Sequence, residues 1–349
     1  MAAPIQAMIA GLWNVIKWLG FANATTSFVS MYQWKSNGFG AKYADPATLP
    51  AGAGNGIAIK TTLNGAVAVA HATSPYVTVY PWGNGISAAA GFGVKYSNPS
   101  TTPTSSGYSV AWDAAGTNIV VGHASSPFIA LYAWSNGFGS RSANPTVLPG
   151  GTVTGVAVTG AAGITGGIAA VTSVSPYIYV YNYTAGILGV NYSNPATLPP
   201  GTCTAVAFNS AGTLIACVSS VTPFIDVYPW NYTTGFGTKY ANPATLATTS
   251  LKGVSFNSAT GAIAAVMSSA TYAPIVWAWS SGFGSKYADP ATTLASGSGI
   301  AFDSTGANIS ISTGTSPYQN VYPWSAGFGV KYADPTTAMP ASSSTTFSH

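Results

Sequence analysis

The residues able to do chemistry are few, and their spacing repeats. Two histidines, His71 and His123, each stand eleven residues before a tryptophan, Trp82 and Trp134. The same offset from Trp34, Tyr183, Trp230, Trp279 and Trp324 gives Asn23, Thr172, Ser219, Ser268 and Thr313. Two imidazoles in adjacent units would supply half of a tetrahedral metal site, but no carboxylate or cysteine occupies an equivalent position to complete it. The set reads instead as small polar groups that close strand ends by bonding to backbone. The six acidic residues are all aspartates. Asp45, Asp289 and Asp334 stand in an Asp-Pro turn where Asn98, Asn144, Asn194 and Asn242 serve equally, and Asp113 and Asp303 fall in hairpin turns, so these five read as turn formers. Asp226 alone interrupts an apolar run, without a visible partner. A glycosidase pair or a catalytic triad requires at least two positioned groups. The expectation is a protein that is not an enzyme and has no catalytic residues, metal or cofactor. Cys203 and Cys217 bracket one hairpin and read as free, buried thiols, with a cross-strand disulfide as the alternative.

Two further sets recur once per unit. Lys42, Lys95, Arg141, Lys239, Lys286 and Lys331 are equivalent, with Asn191 the exception, and they account for six of the ten basic residues. Lysine on an outermost strand deters edge-to-edge aggregation; the functional alternative is a ring of weak, salt-screened contacts to anions or glycans. Trp34, Trp82, Trp134, Tyr183, Trp230, Trp279 and Trp324 each end an apolar strand before a glycine-rich turn. They read as aromatics that lock one unit onto the next, the alternative being a set of sugar-stacking platforms.

These groups are positioned by a repeat. Gly-Phe-Gly starts at Gly38, Gly91, Gly137, Gly235, Gly282 and Gly327, with Gly186-Ile187-Leu188-Gly189 as a degenerate copy, and the successive intervals are 53, 46, 49, 49, 47 and 45 residues. Propeller blades have periods near roughly 40–50 residues, and the long first interval carries an insertion around Gly83 to Ala90. Four strand signals recur in each unit, labelled a to d: in one unit they are Gly56 to Ile59, Ala66 to Ala70, Tyr76 to Trp82 and Phe92 to Tyr96. Strand c has both faces apolar, as a strand covered by neighbours on either side requires. Charged residues make up only 5% of the 349-residue chain, yet 47% hydrophobic and 13% aromatic residues exclude disorder. The apolar stretch Ala7 to Trp13 is far below the roughly 20 residues of a membrane-spanning helix. A net charge of +4 does not point to nucleic acid, and a secretory signal is not expected, since no basic residue precedes the apolar run.

The first unit begins at strand b, Trp18 to Ala22, with strand c at Ser27 to Trp34, and it lacks a strand a. The last unit ends after Lys331 and Tyr332, and Thr345-Thr346-Phe347 falls where another strand a belongs. The prediction is an all-β, seven-bladed propeller of four-stranded blades over residues 18–349, its ring closed by the C-terminal strand joining the N-terminal blade. Ahead of it, in residues 1–17, Ile5, Met8, Ile9, Leu12, Trp13 and Ile16 recur at i, i+3, i+4, i+7, i+8 and i+11, which predicts an amphipathic helix started by Pro4. Its apolar stripe either covers one end or side of the propeller or docks on a neighbouring subunit.

At strands a and b and the hairpin between them the unit resembles WD-type propeller repeats, without their Gly-His and Trp-Asp signatures. The phrases Gly-Phe-Gly-x-Lys-Tyr-Ala-Asn/Asp-Pro-Ala-Thr-Leu and Ser-Pro-Tyr-x-x-x-Tyr-Pro-Trp, over residues from about 26 to 340, resemble a family of repeat proteins encoded by tailed bacteriophages. That resemblance implies a noncatalytic virion protein, assembled in the host cytoplasm, that decorates or cements a capsid or tail through contacts with other virion proteins. The reading from another class is a lectin-like propeller that binds host-surface glycans.

Overall fold

A strand such as Ala66-Val67-Ala68-Val69-Ala70 has no polar face, and it is stable only where both faces are covered. In the computed structural model, which describes residues 17–61, 64–83, 91–159, 166–184, 186–269, 273–337 and 339–347, that cover comes from neighbouring blades. Seven antiparallel sheets form a ring; with blades numbered in chain order, five have the spatial order a-b-c-d and two, blades 2 and 7, have a-b-c and a residual d. Blades 2, 3, 4 and 6 have a completely buried strand b, Ala66–His71, Asn118–His123, Gly166–Thr172 and Ala262–Met267, and the apolar clusters lie between sheets, each joining residues of adjacent blades. Among the described residues there is no helix, so none that is long and apolar enough to cross a membrane. The stripe Ile5, Met8, Ile9, Leu12, Trp13 and Ile16 and the insertion at 84–90 lie outside the described residues.

The predicted closure is present. Strand a of blade 1 is Ser342–Phe347, and it pairs with strand b, Lys17–Asn23, through Leu19↔Phe347, Gly20↔Thr346 and Phe21↔Thr345. The inner strands of the other blades are Gly54–Lys60, Gly107–Trp112, Val153–Thr159, Cys203–Phe208, Leu251–Asn257 and Gly297–Phe302. Side-chain bonds to backbone stitch these inner strands to one another around the ring: Asn55 to the Gly107 carbonyl, Thr154 to Cys203, Thr204 to Leu251 and Ser298 to Ser342, with the Ser109 and Ser255 hydroxyls accepting from the Val156 and Phe302 amides.

The outer strands differ from expectation, for a definite reason. Strand d is Gly38–Lys42, Phe138–Arg141, Ile187–Asn191 and Phe283–Lys286 in blades 1, 3, 4 and 6. In blade 5 it shrinks to Gly235–Phe236. In blades 2 and 7 it pairs only at the single bridges Trp82↔Phe92 and Trp324↔Phe328, so the strand expected from Phe92 to Tyr96 is reduced to one bridge and two backbone bonds, from Gly93 and Tyr96 to the Pro81 and Val79 carbonyls. Those three blades carry Pro81, Pro229 and Pro323 in strand c, where the other four have Gln33, Ala133, Asn182 and Ala278. The carbonyl at this position accepts from strand d, so its missing N–H is the donor that would have faced strand d, and proline removes it.

The degenerate repeat is also shifted by one residue. Tyr183 pairs with Leu188 where Trp34 pairs with Phe39, so a buried Leu188 fills the slot of a half-buried phenylalanine and Ile187 occupies the place of Gly38.

Candidate functional site

Each aromatic that recurs in register sits at a blade junction. Trp82 meets Tyr43 of the preceding blade edge-on at 5.0 Å, Trp134 meets Tyr96 at 4.9 Å and Trp230 meets Tyr192 at 4.8 Å. Trp279, Trp324 and Trp34 meet Tyr240, Tyr287 and Tyr332 at 5.0, 5.1 and 5.2 Å. All but Trp279, which is partly exposed, are buried. Edge-to-face pairs of this kind add about 0.5–1.5 kcal/mol beyond the area they bury, and buried rings do not present a stacking face to a sugar. The odd junction replaces both partners at once. Ser142 stands where the tyrosine belongs and accepts from the Leu188 amide at 3.2 Å, and Tyr183 stands for tryptophan, its hydroxyl donating to Asp113 at 2.7 Å.

The rim cations are clasped rather than free. Lys42 reaches Asp45 at 2.6 Å, Lys95 reaches Asn98 at 2.5 Å, Arg141 reaches Asn144 at 3.0 Å, Lys239 reaches Asn242 at 2.5 Å and Lys286 reaches Asp289 at 2.6 Å; Lys331 pairs with Asp334. The Asp/Asn-Pro residues are therefore turn formers that also tether the outer strand, a second role visible in the i, i+3 spacing. Asp113, Asn209 and Asp303 do close the a–b turns: each accepts from the amides four and five residues on. Against the opposing effect of burial, hydrogen bonds from the Asn118 and Tyr183 side chains at Asp113, and from the Asn308 and Thr305 side chains together with the Lys17 charge at Asp303, hold both carboxyls below the usual range, with the amides adding to the effect.

Asp226, read from the sequence as lacking a partner, has one. Its carboxylate lies 2.9 Å from the Lys239 ammonium, and its side chain is only 1% exposed. Burial pushes its pKa up, and Lys239 opposes the shift. Cys217 is its cross-strand neighbour. Cys203 and Cys217 are free and buried, and contact with the Cys203 thiol, then burial, holds Cys217 above its ordinary range.

His71 and His123 end strand b of adjacent blades and are fully buried. His71 Nε2 lies 2.9 Å from the Thr78 hydroxyl, and His123 Nδ1 lies 3.4 Å from that of Thr104. Thr172, Ser219 and Thr313 donate to the carbonyls two residues on, while Asn23 donates to Ser30 and Ser268 bonds to Ser250. Among the described residues no group of three or more His, Cys or Asp side chains could hold a metal ion. Burial lowers both imidazoles to about 4, with Arg141 adding to the effect at His123. The unfolded chain takes up these protons first, near pH 6.5, so the stability contributed by each neutral imidazole is complete above that pH and is lost between pH 6.5 and 4, on the order of 3 kcal/mol each. The urea midpoint is expected to fall steeply over that window and to flatten in a His71→Gln/His123→Gln chain; an unchanged slope would remove the histidines as its cause.

A wide open concavity occupies the central funnel. Close approach of the inner strands pinches one end: a Cβ on Gly155 would stand 3.1 Å from the Ala205 Cα, and one on Gly299 3.1 Å from the Ser344 Cα. Toward the a–b turns the strands diverge around about 1110 Å³. Ala111, Ala157 and Ala207 line its waist, Trp112, Val158 and Phe208 its half-buried wall, and Asp113, Asn209, Asn257 and Asp303 its rim.

Sequence comparison finds no matching family model and no matching curated protein. Solved structures match along nearly the whole chain. A protein from Lactobacillus plantarum is similar at 12% identity and TM-score 0.66, covering 96% of this chain and 100% of its own. Two proteins described as candidate 6-phosphogluconolactonases are similar at 9% identity: that from Bacteroides fragilis has TM-score 0.67 and covers 96% of this chain and 99% of its own, and that from Bacteroides uniformis has TM-score 0.72 and covers 96% and 100%. At such identities the likeness carries the propeller fold, not an activity.

Proposed function

We propose that this protein is a noncatalytic protein–protein interaction platform and, more specifically, a structural component of a bacteriophage particle that decorates or cements its capsid or tail. The observation that carries the platform reading is an asymmetry in an otherwise regular ring. In the b–c turns, Val174 (47% exposed) and Val221 (45%) replace Thr25, Thr73, Ser125 and Thr315. Ile187, 65% exposed, replaces a glycine, and exposed Val147 replaces Thr48. All four departures from the repeat fall on blades 4 and 5 or the connector leading into blade 4, whereas the exposed Val94 and Val330 occupy a repeated position on blades 2 and 7; aliphatic side chains added to the surface of adjacent blades support a partner-binding role there. The six aspartates support the noncatalytic reading, since each is engaged by a turn or a lysine. The virion context rests on the resemblance of the repeated phrases. The lactonase descriptions of the Bacteroides proteins bring no substrate to this chain at 9% identity.

The test is sedimentation of the naturally produced protein from its source lysate, with mass spectrometry of the heavy-particle fraction. Stoichiometric recovery with particles is expected, falling to background for Ile187→Asp/Val221→Asp. Recovery of the unaltered chain only as a free monomer would overturn the virion reading. Specific binding on a glycan array would then favour the lectin-like alternative.

A further inference from the structure

We propose that the central funnel is a docking site for this chain's own N-terminal segment, residues 1–16, whose apolar stripe seats on the funnel wall. The inference is independent of the virion reading. It starts from where the propeller chain begins. Lys17, the first residue of strand b in blade 1, sends its ammonium 3.3 Å from the Asp303 carboxylate and 3.5 Å from the Thr305 hydroxyl. Asp303 is itself on the funnel rim. Lys17 therefore stands at the wide mouth and not at the pinched end or the outer wall.

Chemistry and size select the same occupant. The wall offers Ile59, Trp112, Val158, Phe208 and Phe256, all half-buried. The charges lining the funnel are already engaged: Asp113 by Thr117, Asn118 and Tyr183, Asp303 by Asn308, Thr305 and Lys17, and Lys60 by the Asn64 carbonyl. An entering group therefore gains from apolar burial and not from ion pairing. Residues 1–16 contain no ionisable side chain, and six of them, Ile5, Met8, Ile9, Leu12, Trp13 and Ile16, are large and apolar at helical spacing. The funnel's volume of about 1110 Å³ exceeds the roughly 300–1,000 Å³ of small-molecule sites, which suits a row of side chains. Sixteen residues span up to about 50 Å extended or about 24 Å as a helix, enough to fold back over the mouth, and a short tether raises the local concentration of its own segment to roughly millimolar.

The experiment uses the full-length chain with photoreactive benzoylphenylalanine in place of Leu12. Irradiation followed by peptide mapping is expected to give adducts within the same chain, on segments 156–159, 206–209 or 254–257, at a yield independent of protein concentration. Adducts on outer strands, adducts between copies, or no adduct would overturn the proposal. A second measurement does not depend on cross-linking. Nile red fluorescence is expected to be low with the unaltered chain, to rise several-fold with Ile9→Asp/Trp13→Asp, and to fall again on adding a synthetic peptide of residues 1–16. A dye signal that is unchanged by the double substitution, or that rises but is unaffected by the peptide, would also overturn it.

Discussion

Phe347→Ala is expected to lower the unfolding free energy by about 3–5 kcal/mol, the range for deleting a buried aromatic side chain. Phe347 is buried against Trp34, with ring centroids 5.6 Å apart, and shares a cluster with Leu19, Phe21, Tyr32 and Met339. Removing Ser342–Phe347 altogether costs more, because it takes away a ladder as well as a side chain. Strand b of blade 1 would lose its pairing partner from Leu19 to Asn23. The bonds that Ser342 makes to Asn23, and Thr345 to Ser310, would go with it. A bare strand edge inside the ring is a template for pairing with other chains, so the truncated protein is expected to lose cooperative unfolding and to self-associate. A peptide of residues 341–349 added in trans should restore the transition. A truncated chain that stays monomeric and unfolds at the full-length urea midpoint would show that the closure contributes little.

Lys239→Met is the second large effect, on the order of 3–5 kcal/mol, because it leaves a buried carboxylate without its counter-charge. The equivalent change at Lys286 tests the cause. The partner there, Asp289, keeps a 36% exposed side chain, so water takes over from the lysine and the cost is expected to stay below about 1 kcal/mol. Converting both members, Lys239→Met with Asp226→Leu, should recover most of the loss, since neither desolvated charge then remains. The pH dependence has a defined sign. Burial raises the folded pKa of Asp226, so the folded chain binds this proton more readily than the unfolded chain. The group is therefore most favourable to folding in acid, and that advantage is lost as pH rises through the folded value. Removing Lys239 takes away the opposing charge and lifts that value further, so the deficit of Lys239→Met relative to the unaltered chain should shrink on acidification. Urea unfolding at a series of pH values measures it, and a deficit independent of pH would exclude charge burial as the origin.

Much of the architecture was legible because a propeller repeats its signals. The Trp-based register placed strand a of the first blade at the opposite end of the chain, at Thr345 to Phe347, where the ladder with Leu19 to Phe21 lies. Features that depend on two segments meeting across a turn were less legible. The Lys-x-x-Asp/Asn clasp was in plain view, yet its members were assigned separately, to a strand and to a turn. Asp226 and Lys239 are 13 residues apart in sequence, and the blade with that pair has an outer strand of two residues, so no strand register was available to predict the contact. The shortened outer strands follow from Tyr-Pro-Trp, a phrase that marks the repeat in sequence and also removes a hydrogen-bond donor. The shift that puts Leu188 in the phenylalanine slot was hidden because Gly186 preserved the interval.

The prolines of strand c have a consequence for the outside of the ring. A strand approaching from another molecule finds no continuous outer ladder to extend on blades 2, 5 and 7, where Pro81, Pro229 and Pro323 have curtailed it. On blades 1, 3 and 6 it meets a short, irregular outer strand of four or five residues bearing Lys42, Arg141 or Lys286, a combination that discourages β-addition. Blade 4 has neither the proline nor the cation. Its outer strand Ile187–Asn191 runs five residues, ends in asparagine at the cation's place, and exposes Ile187 and Val190 at 65% each. Among the described outer strands, this one combines a five-residue ladder with the absence of a cation, so the nearly symmetric ring has one edge better suited than the others to being continued into a partner.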